Sequence, residues 1–173
     1  MRRLLPLVAV VFVGLAACGD DARQERFTGQ LRPLNDSGVE GTVELVPREN
    51  DLLEVHIDAS GLTPNRVHQQ QIHGFVRRER DGQCPDQSDG LLLPGEAQDS
   101  YGEVIQDLAP YPTVGEEGDV DWELTVPVNP DKLRPLTDRV VVLYGMMAKS
   151  ESTDGQRIYR SQLPVACGTI EAR

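Results

Sequence analysis

Two of the chain's three histidines lie close together in the segment RVHQQQIHGF, residues 66–75. Imidazole is the commonest metal ligand among side chains, so this spacing raises the question of a metal site. In an extended strand, successive side chains face opposite ways, which would place Gln71 and His73 on one face and His68 on the other. A metal ion needs several ligands that converge on one point. The chemistry of this segment therefore depends on which residues lie beside His73.

A second candidate for metal chemistry is the acidic segment CPDQSDGLLLPGEAQD, residues 84–99. If Gly90 is the sixth residue of an EF-hand-like calcium loop, Asp89 falls at position five and Glu96 at position twelve, as such a loop requires. The first position is then a proline, which removes a key ligand. Asp86, Asp89 and Glu96 are therefore weak candidates for calcium. An acidic solvated loop is the plainer interpretation.

The amino terminus is typical of an exported protein. In MRRLLPLVAVVFVGLAAC two arginines precede about a dozen apolar residues, a secretory signal pattern that is shorter than the roughly 20 residues of a membrane span. The end of this stretch, LAAC, resembles a bacterial lipobox, which implies cleavage before Cys18 and lipidation of its thiol. The alternative is a plain signal peptide with an incidental cysteine. We therefore predict a signal peptide over 1–17, a lipidated tether over 18–25 and one domain over 26–173.

The charge excludes some partners. The chain has 17 basic and 28 acidic residues, and removal of residues 1–17 takes away two arginines and no acid, which leaves a net charge of −13. Such a surface repels phosphate backbones, so no nucleic-acid partner is expected. It also disfavours polybasic docking to membranes, so the lipid on Cys18 would carry the attachment. The predicted location is the bacterial cell envelope, facing the periplasm or the cell surface.

Cys84 and Cys167 are the two cysteines that remain once Cys18 carries lipid. An exported protein meets an oxidising compartment, so an intramolecular disulfide between them is the default expectation. Closing a loop of this length would contribute about 4 kcal/mol in the chain-entropy model. Two free thiols are the alternative. The pairing would join the long connection after the histidine segment to the end of the chain.

A hydrophobic period of two predicts strands along most of the chain. The period is clear in RFTGQLRPL, VEGTVELVP, DLLEVHIDASGL and DVDWELTVP, whereas DRVVVLYGMM is apolar on both faces, as a central strand would be. QRIYRSQLPVACGTI indicates a strand pair or one bent strand. No segment has a convincing helical period, and NPDKLRPL would form at most one turn of helix. Short strands separated by Gly, Pro, Asn and Asp predict an all-β antiparallel sandwich or barrel. Two long connections, 77–100 and 109–118, interrupt the pattern.

Three segments in this order resemble the copper/zinc superoxide dismutases. ASGLTPNRVHQQQIHGF is similar to the family's Gly-Leu-Thr turn and the ligand strand after it, DRVVVLYG to a late ligand strand, and LPVACGTI to the C-terminal Ala-Cys-Gly strand. The spacing is also similar to that of bacterial dismutase-like and chordin-like (CHRD) lipoproteins. The resemblance implies a Greek-key β-sandwich or barrel. It also implies the bridge between Cys84 and Cys167.

Residue by residue, the resemblance implies an incomplete metal centre. His68 matches a structural histidine and His73 a copper ligand, but Gln71 stands in place of another copper histidine and Tyr144 in place of the late one. The chain has no histidine between Cys84 and residue 120, where the family has its bridging and zinc-binding histidines.

The histidine count bears on catalysis. A dismutase copper centre needs about four imidazoles, whereas the chain has three, of which His56 lies on another predicted strand. Copper favours imidazole and sulfur donors over a neutral amide. Neither a cofactor nor catalysis by the family's mechanism is therefore expected, and no catalytic triad can be assigned. His73, Tyr144 and Met146 remain weak candidates for Cu(I), because Met146 is expected to share a strand face with Tyr144.

These observations predict a lipid-anchored, extracytoplasmic and non-catalytic binding or structural module with an unknown envelope partner. One alternative is a superoxide dismutase or copper-handling protein with an unconventional ligand set. The other is a calcium-stabilised envelope or adhesion module.

Overall fold

The computed structural model describes residues 24–77, 80–86, 90–150 and 155–173. The predicted signal peptide and lipidation site Cys18 lie outside these ranges, as does the calcium candidate Asp89. Eight strands and two short α-helices follow one another along the chain: β1 Phe27–Pro33, β2 Glu40–Arg48, β3 Leu52–Ser60, β4 Gln70–Gly74, α1 Pro94–Tyr101, β5 Glu103–Asp107, β6 Val120–Pro127, α2 Pro130–Leu133, β7 Val140–Lys149 and β8 Arg157–Ala172. A 3-10 turn, Leu136–Asp138, precedes β7. Among the described residues, no helix has the length and apolarity that a membrane span needs.

The strands form one antiparallel sheet in the order β5-β4-β7-β8-β1-β2-β3-β6. The connections from β3 to β4 and from β6 to β7 carry the chain from one half of this order to the other. The sheet curls, because one main core collects side chains from both halves, including Val55 of β3, Ile72 of β4 and Leu143 of β7. The predicted all-β antiparallel class is confirmed.

The two-residue period explains which strands are buried on one face and which on both. In β3, Leu53, Val55 and Ile57 are buried in the main core, while the residues between them are more exposed. In β7 every residue from Val140 to Gly145 is buried. One face of β7 contacts the main core. The other contacts a second cluster, which we term the outer cluster: Leu34, Ala97, Tyr101, Val140, Val142, Tyr144 and Cys167.

Strand β8 resolves an alternative that the sequence left open. It is one strand of 16 residues, which pairs with β7 along most of its length and with β1 near its end. Its register against β7 shifts on both sides of Tyr144. The segment is therefore a single bent strand, and not a strand pair.

Helix α1 and strand β5 were not predicted. In α1 the backbone N–H of Leu93 donates to Glu96 Oε2 at 3.2 Å, which satisfies one donor at the start of the helix. Its buried residues are Ala97 and Tyr101, too few to produce a helical period. Strand β5 has five residues without regular alternation. The four-residue α2 agrees with the single turn expected for NPDKLRPL.

The predicted disulfide is confirmed. Cys84 and Cys167 are bonded, with an S–S distance of 2.01 Å and a Cα–Cα distance of 5.6 Å. Cys167 is buried in the outer cluster, and Cys84 packs against that cluster. The bond therefore joins the connection after β4 to β8 at the side of the sheet that α1 covers.

Candidate functional site

A pocket of about 310 Å³ opens on the outer face of the sheet beside α1. It brings together the three positions that the resemblance assigned to copper ligands, Gln71 and His73 on β4 and Tyr144 on β7. The remaining lining residues come from the chain before β4, from α1 and from β5 and β8: Gln69, Pro94, Gln98, Tyr101, Val104 and Gln162. These three positions therefore surround one pocket.

His73 and Tyr144 form the floor of this pocket. Nε2 of His73 lies 2.8 Å from the hydroxyl of Tyr144, and Nδ1 lies 3.1 Å from the carbonyl oxygen of Gly102. The two side chains are 3% and 5% exposed. Burial lowers the pKa of His73, against a smaller opposing effect of the Gly102 carbonyl, so the ring is neutral near pH 7. A carbonyl oxygen only accepts hydrogen bonds, so the single N–H of the neutral ring is at Nδ1. Nε2 then accepts a hydrogen bond from the hydroxyl of Tyr144.

Tyr101 of α1 covers the histidine. Its ring centroid lies 4.5 Å from that of His73, and its hydroxyl lies 3.3 Å from the hydroxyl of Tyr144. The hydroxyl of Tyr144 has one proton, which it donates in the shorter hydrogen bond, to His73. In the longer contact the hydroxyl of Tyr101 therefore donates and that of Tyr144 accepts. Burial is the main cause that raises the pKa values of both phenols, so both remain protonated at neutral pH. The result is a chain of hydrogen bonds from Tyr101 through Tyr144 and His73 to Gly102.

Gly102 occupies a position that only glycine fits. Its φ is +84°, and an added Cβ would lie 2.2 Å from the carbonyl oxygen of Gly74. This close approach brings the start of β5 against the end of β4. The Gly102 carbonyl can therefore reach His73 and hold its tautomer.

His68 ties the site to the loop before β4. Its ring is fully buried, with Nδ1 2.9 Å from the carbonyl oxygen of Tyr144 and Nε2 3.0 Å from that of Thr63. Burial is the main cause that lowers the pKa of His68, and the two carbonyls oppose it. Both contacts are to backbone, which supports the structural role expected for this residue.

Gln71 is bonded to the neighbouring strand. Its Nε2 donates to Oδ1 of Asp107 on β5 at 3.3 Å, and Tyr111 donates to the same carboxylate oxygen. Burial and the Asp107 carboxylate raise the pKa of Tyr111 to about 12. The amide of Gln71 thus lies at the edge of the pocket as part of a hydrogen-bonded group.

Arg139 is buried beside Gly74, the residue that follows His73. Its side chain is 1% exposed, and its guanidinium donates to the carbonyl oxygens of Lys132 at 2.8 Å and Leu133 at 3.1 Å. An added Cβ on Gly74 would lie 2.6 Å from the Arg139 side chain. The Arg139 side chain can be buried at this position because Gly74 has no side chain.

The expectation for Met146 is wrong. Met146 packs against the main core, whereas Tyr144 belongs to the outer cluster. The alternation of faces breaks between them, because Gly145 has a φ of +108° and the register against β8 shifts there. The three weak copper candidates therefore do not form one group.

The calcium candidates are not gathered either. Glu96 caps α1 through the backbone of Leu93, while Asp86 lines a separate depression with Asp81 and Asp99. In the described ranges no three His, Cys, Asp or Glu side chains are grouped so that they could hold a metal ion. The third candidate, Asp89, lies outside those ranges.

The donor set at the pocket floor does not fit a redox copper centre. It offers one imidazole nitrogen that already accepts a hydrogen bond, one neutral phenol and one amide. Copper favours imidazole and sulfur donors, and several must converge on it. The three side chains therefore form a hydrogen-bonded floor rather than a ligand set for this metal.

Sequence reasoning did not identify Tyr101 and Gly102 as part of the site. Tyr101 is the last residue of α1 and Gly102 lies between α1 and β5, and neither element has a periodic pattern in the sequence. Asp107, which accepts from Gln71, was missed for the same reason. A glycine directly after a tyrosine in a long connection was the sole available signal, and it does not indicate contact with a histidine.

Comparisons with known proteins place the chain beside superoxide dismutase-like structures. No family model matches the chain, and no curated protein matches it. Among solved structures, it is similar to Cu(II) superoxide dismutase 5 of Candida albicans, at 15% identity over 85% of this chain and 91% of that one, with a TM-score of 0.44. It is also similar to a superoxide dismutase-like protein from Bacillus subtilis, at 20% identity over 82% and 95%, with a TM-score of 0.49. A third similar structure is the clock protein EA4, at 15% identity over 85% and 94%, with a TM-score of 0.48.

Proposed function

We propose that this protein is a non-catalytic, superoxide dismutase-like binding module of the bacterial cell envelope, anchored by a lipid on Cys18. The observation that carries the proposal is the hydrogen bond from Tyr144 to His73. The Nε2 lone pair that could coordinate a metal ion accepts a hydrogen bond from the Tyr144 hydroxyl instead. One lone pair cannot do both.

The energetics of metal binding support the absence of dismutase activity. A copper ion at His73 would have to break a buried hydrogen bond, and to ligate Tyr144 it would have to displace a proton from a phenol whose pKa burial raises. Gln71 adds only a neutral amide to this set. A redox cycle needs ligands that hold both oxidation states of copper, and these positions supply one imidazole.

The same arrangement suits reversible binding of a small polar molecule. The floor is held in place by hydrogen bonds, and the rim carries the amides of Gln69, Gln98 and Gln162. Pockets of about 300 Å³ and above, with a few well-placed polar groups, are typical of ligand sites. The amides both donate and accept hydrogen bonds, so the pocket matches a ligand with hydroxyl or amide groups.

The disulfide, the amino-terminal sequence and the charge all support a location in the cell envelope. Disulfides persist in oxidising compartments, and the chain holds one between Cys84 and Cys167. The signal-like amino terminus with its LAAC segment supports export followed by lipidation. The acidic charge supports an attachment by lipid rather than by basic residues.

Metal content and superoxide turnover test the non-catalytic role. The lipid-bearing protein is purified without a tag in detergent, and its copper is measured together with superoxide turnover. We expect substoichiometric copper and no turnover above the detergent blank. Stoichiometric copper with turnover that is lost in His73→Ala would overturn the proposal.

A gain-of-ligand variant serves as the matched control. Gln71→His with Tyr144→His places two further imidazoles at the pocket beside His73. We expect this double variant to retain more copper than the unaltered protein after the same loading and dialysis. Equal retention by both proteins, at or near one copper per chain, would show that the unaltered site already binds copper.

A further inference from the structure

We propose that the pocket over His73 continues into a second depression in which Arg160 binds the oxyanion group of a small polar ligand. This inference rests on the proposed binding role and names the chemical class of the ligand. The second depression also has a volume of about 310 Å³ and shares Pro94 and Gln162 with the first. Its other lining residues belong to β8 and to the residue before α1: Tyr159, Arg160, Ser161, Leu163 and Leu93.

Arg160 is a cation with one buried hydrogen-bond donor that is unfilled within the described part of the chain. Its side chain is half-buried, and its Nε–H is buried with no acceptor within the described part of the chain. The ion pairs found in that part involve Arg26, Arg48, Arg173 and His56, and not Arg160. A donor that is buried and unpaired is unfavourable until an acceptor reaches it.

The surroundings of Arg160 favour an anion over a cation. The hydroxyl of Tyr159 donates to the carbonyl oxygen of Val67 at 2.6 Å, which holds the ring in place as a wall of the depression. The guanidinium of Arg66 lies over this ring, 5.4 Å from its centroid, so a second positive charge contacts the residue that precedes Arg160. Of the residues that the structure describes, none that lines this depression carries a carboxylate. A planar guanidinium binds the two oxygens of a carboxylate or phosphate through parallel hydrogen bonds.

The two depressions together define the ligand. The oxyanion would bind at Arg160, next to the hydroxyl of Ser161, and an uncharged body with hydroxyl or amide groups would extend past Gln162. That body would reach the amide of Gln98 and the floor of the first pocket. A carboxylate and a phosphate share the chemistry that Arg160 recognises.

Three sugars that differ in the group at C6, namely glucose, glucuronate and glucose 6-phosphate, test this assignment, and inorganic phosphate tests the anion without the sugar body. Binding to the full lipid-bearing protein in detergent is measured by titration calorimetry at low salt. We expect glucuronate or glucose 6-phosphate to bind at least tenfold more tightly than glucose, and their order separates carboxylate from phosphate. We expect added salt to weaken the binding of the anionic probe. Equal affinity for glucose and both anionic sugars, or no binding of any probe at millimolar concentration, would overturn the proposal.

Two arginine variants locate the effect. Arg160→Gln should lower the affinity for the anionic probe at least tenfold, and because it removes an unpaired buried donor the melting temperature should not fall. Arg157→Gln is the matched control on the same strand, since Arg157 is exposed and donates to the Met147 carbonyl, and it should bind as the unaltered protein does. Undiminished binding in Arg160→Gln would overturn the role of Arg160. If Gln98→Ala then abolished that binding, the first pocket would remain a ligand site. The copper and turnover measurements test the non-catalytic role separately.

Discussion

The hydroxyl of Tyr144 lies 2.8 Å from Nε2 of His73, across the pair of neighbouring strands β7 and β4. Where the resemblance to superoxide dismutases implies two histidines that face a copper ion, this chain has a donor and an acceptor that satisfy each other. The relationship makes the pocket floor a closed hydrogen-bonded unit. Its strength and its sensitivity to pH can be measured.

Removal of the Tyr144 hydroxyl should destabilise the protein. Tyr144→Phe leaves the buried Nε2 of His73 without a donor, which costs about 1–3 kcal/mol of unfolding free energy. Urea unfolding at pH 7 measures this loss. Tyr111→Phe is the control, because Tyr111 bonds to Asp107 at the rim of the pocket and is less buried. A loss in Tyr144→Phe no larger than in the control would contradict the assigned bond.

Stability should fall in mildly acidic solution. Burial lowers the pKa values of His68 and His73 below the unfolded value of about 6.5, so protons bind preferentially to the unfolded chain. The stabilisation is complete above pH 6.5 and is lost as pH falls below it, by at most about 1.4 kcal/mol per pH unit for each group. Urea unfolding between pH 8 and pH 5 measures the slope, and His73→Gln should reduce it. An unchanged slope in that variant would show that His73 does not titrate in this range.

The contribution of His56 to stability should change with pH in the opposite direction. A hydrogen bond to Asp121 is the main cause that raises its pKa, so its contribution is present below pH 6.5 and is lost as pH rises through the folded value. The pair is exposed, so the effect should be small. His56→Gln is expected to change the unfolding free energy measurably at pH 5.5 and not at pH 8. A larger change at pH 8 than at pH 5.5 would contradict a raised pKa for His56.

Replacement of Gln70 by an apolar residue should stabilise the fold. Its side chain is fully buried, and in the described part of the chain neither its Nε2 nor its Oε1 has a hydrogen-bond partner. Gln70→Leu removes two unpaired polar atoms and should raise the unfolding free energy by about 1–3 kcal/mol. Thermal melting and urea unfolding provide the measurement. Gln69→Leu, at the half-buried neighbouring position, is the control and should give a smaller change. Destabilisation by Gln70→Leu would indicate that its amide has a partner in solution.

Calcium should leave the melting temperature unchanged. The two described carboxylates of the proposed calcium loop do not share one site. Asp86 lines a separate depression, and Glu96 accepts a hydrogen bond from the backbone of Leu93. Melting of the protein in calcium and in chelator compares the two conditions directly. A rise in calcium that Asp86→Asn abolishes would restore the calcium-stabilised alternative.

Alternation along the chain was sufficient to predict most of the sheet. It located β2, β3 and β6, whose apolar residues recur at every second position, while a continuous apolar run located β7 as a central strand. The elements that it missed, α1 and β5, bury few side chains and are held by their contacts with β4 and the outer cluster.

The sequence identified some residues of the site but not their connections. Strand alternation placed Gln71 and His73 on one face, the resemblance singled out Tyr144, and whether the three converge was left open; the structure places all three around one pocket. The face of Met146 could not be predicted, because a positive φ at Gly145 interrupts the alternation. The partner of His73 Nδ1 could not be predicted either. The Gly102 carbonyl reaches it through a tertiary approach that has no periodic signal.

The bond between Cys84 and Cys167 has a consequence for when the pocket is completed. Both cysteines belong to the packing that holds Tyr101 above His73. In the export route that we propose, this cross-link forms only after the chain has left the reducing cytoplasm, and until then α1 has only its few side-chain contacts to retain it. Oxidation outside the cytoplasm would then complete the pocket, and protein retained inside the cell would lack this restraint on Tyr101.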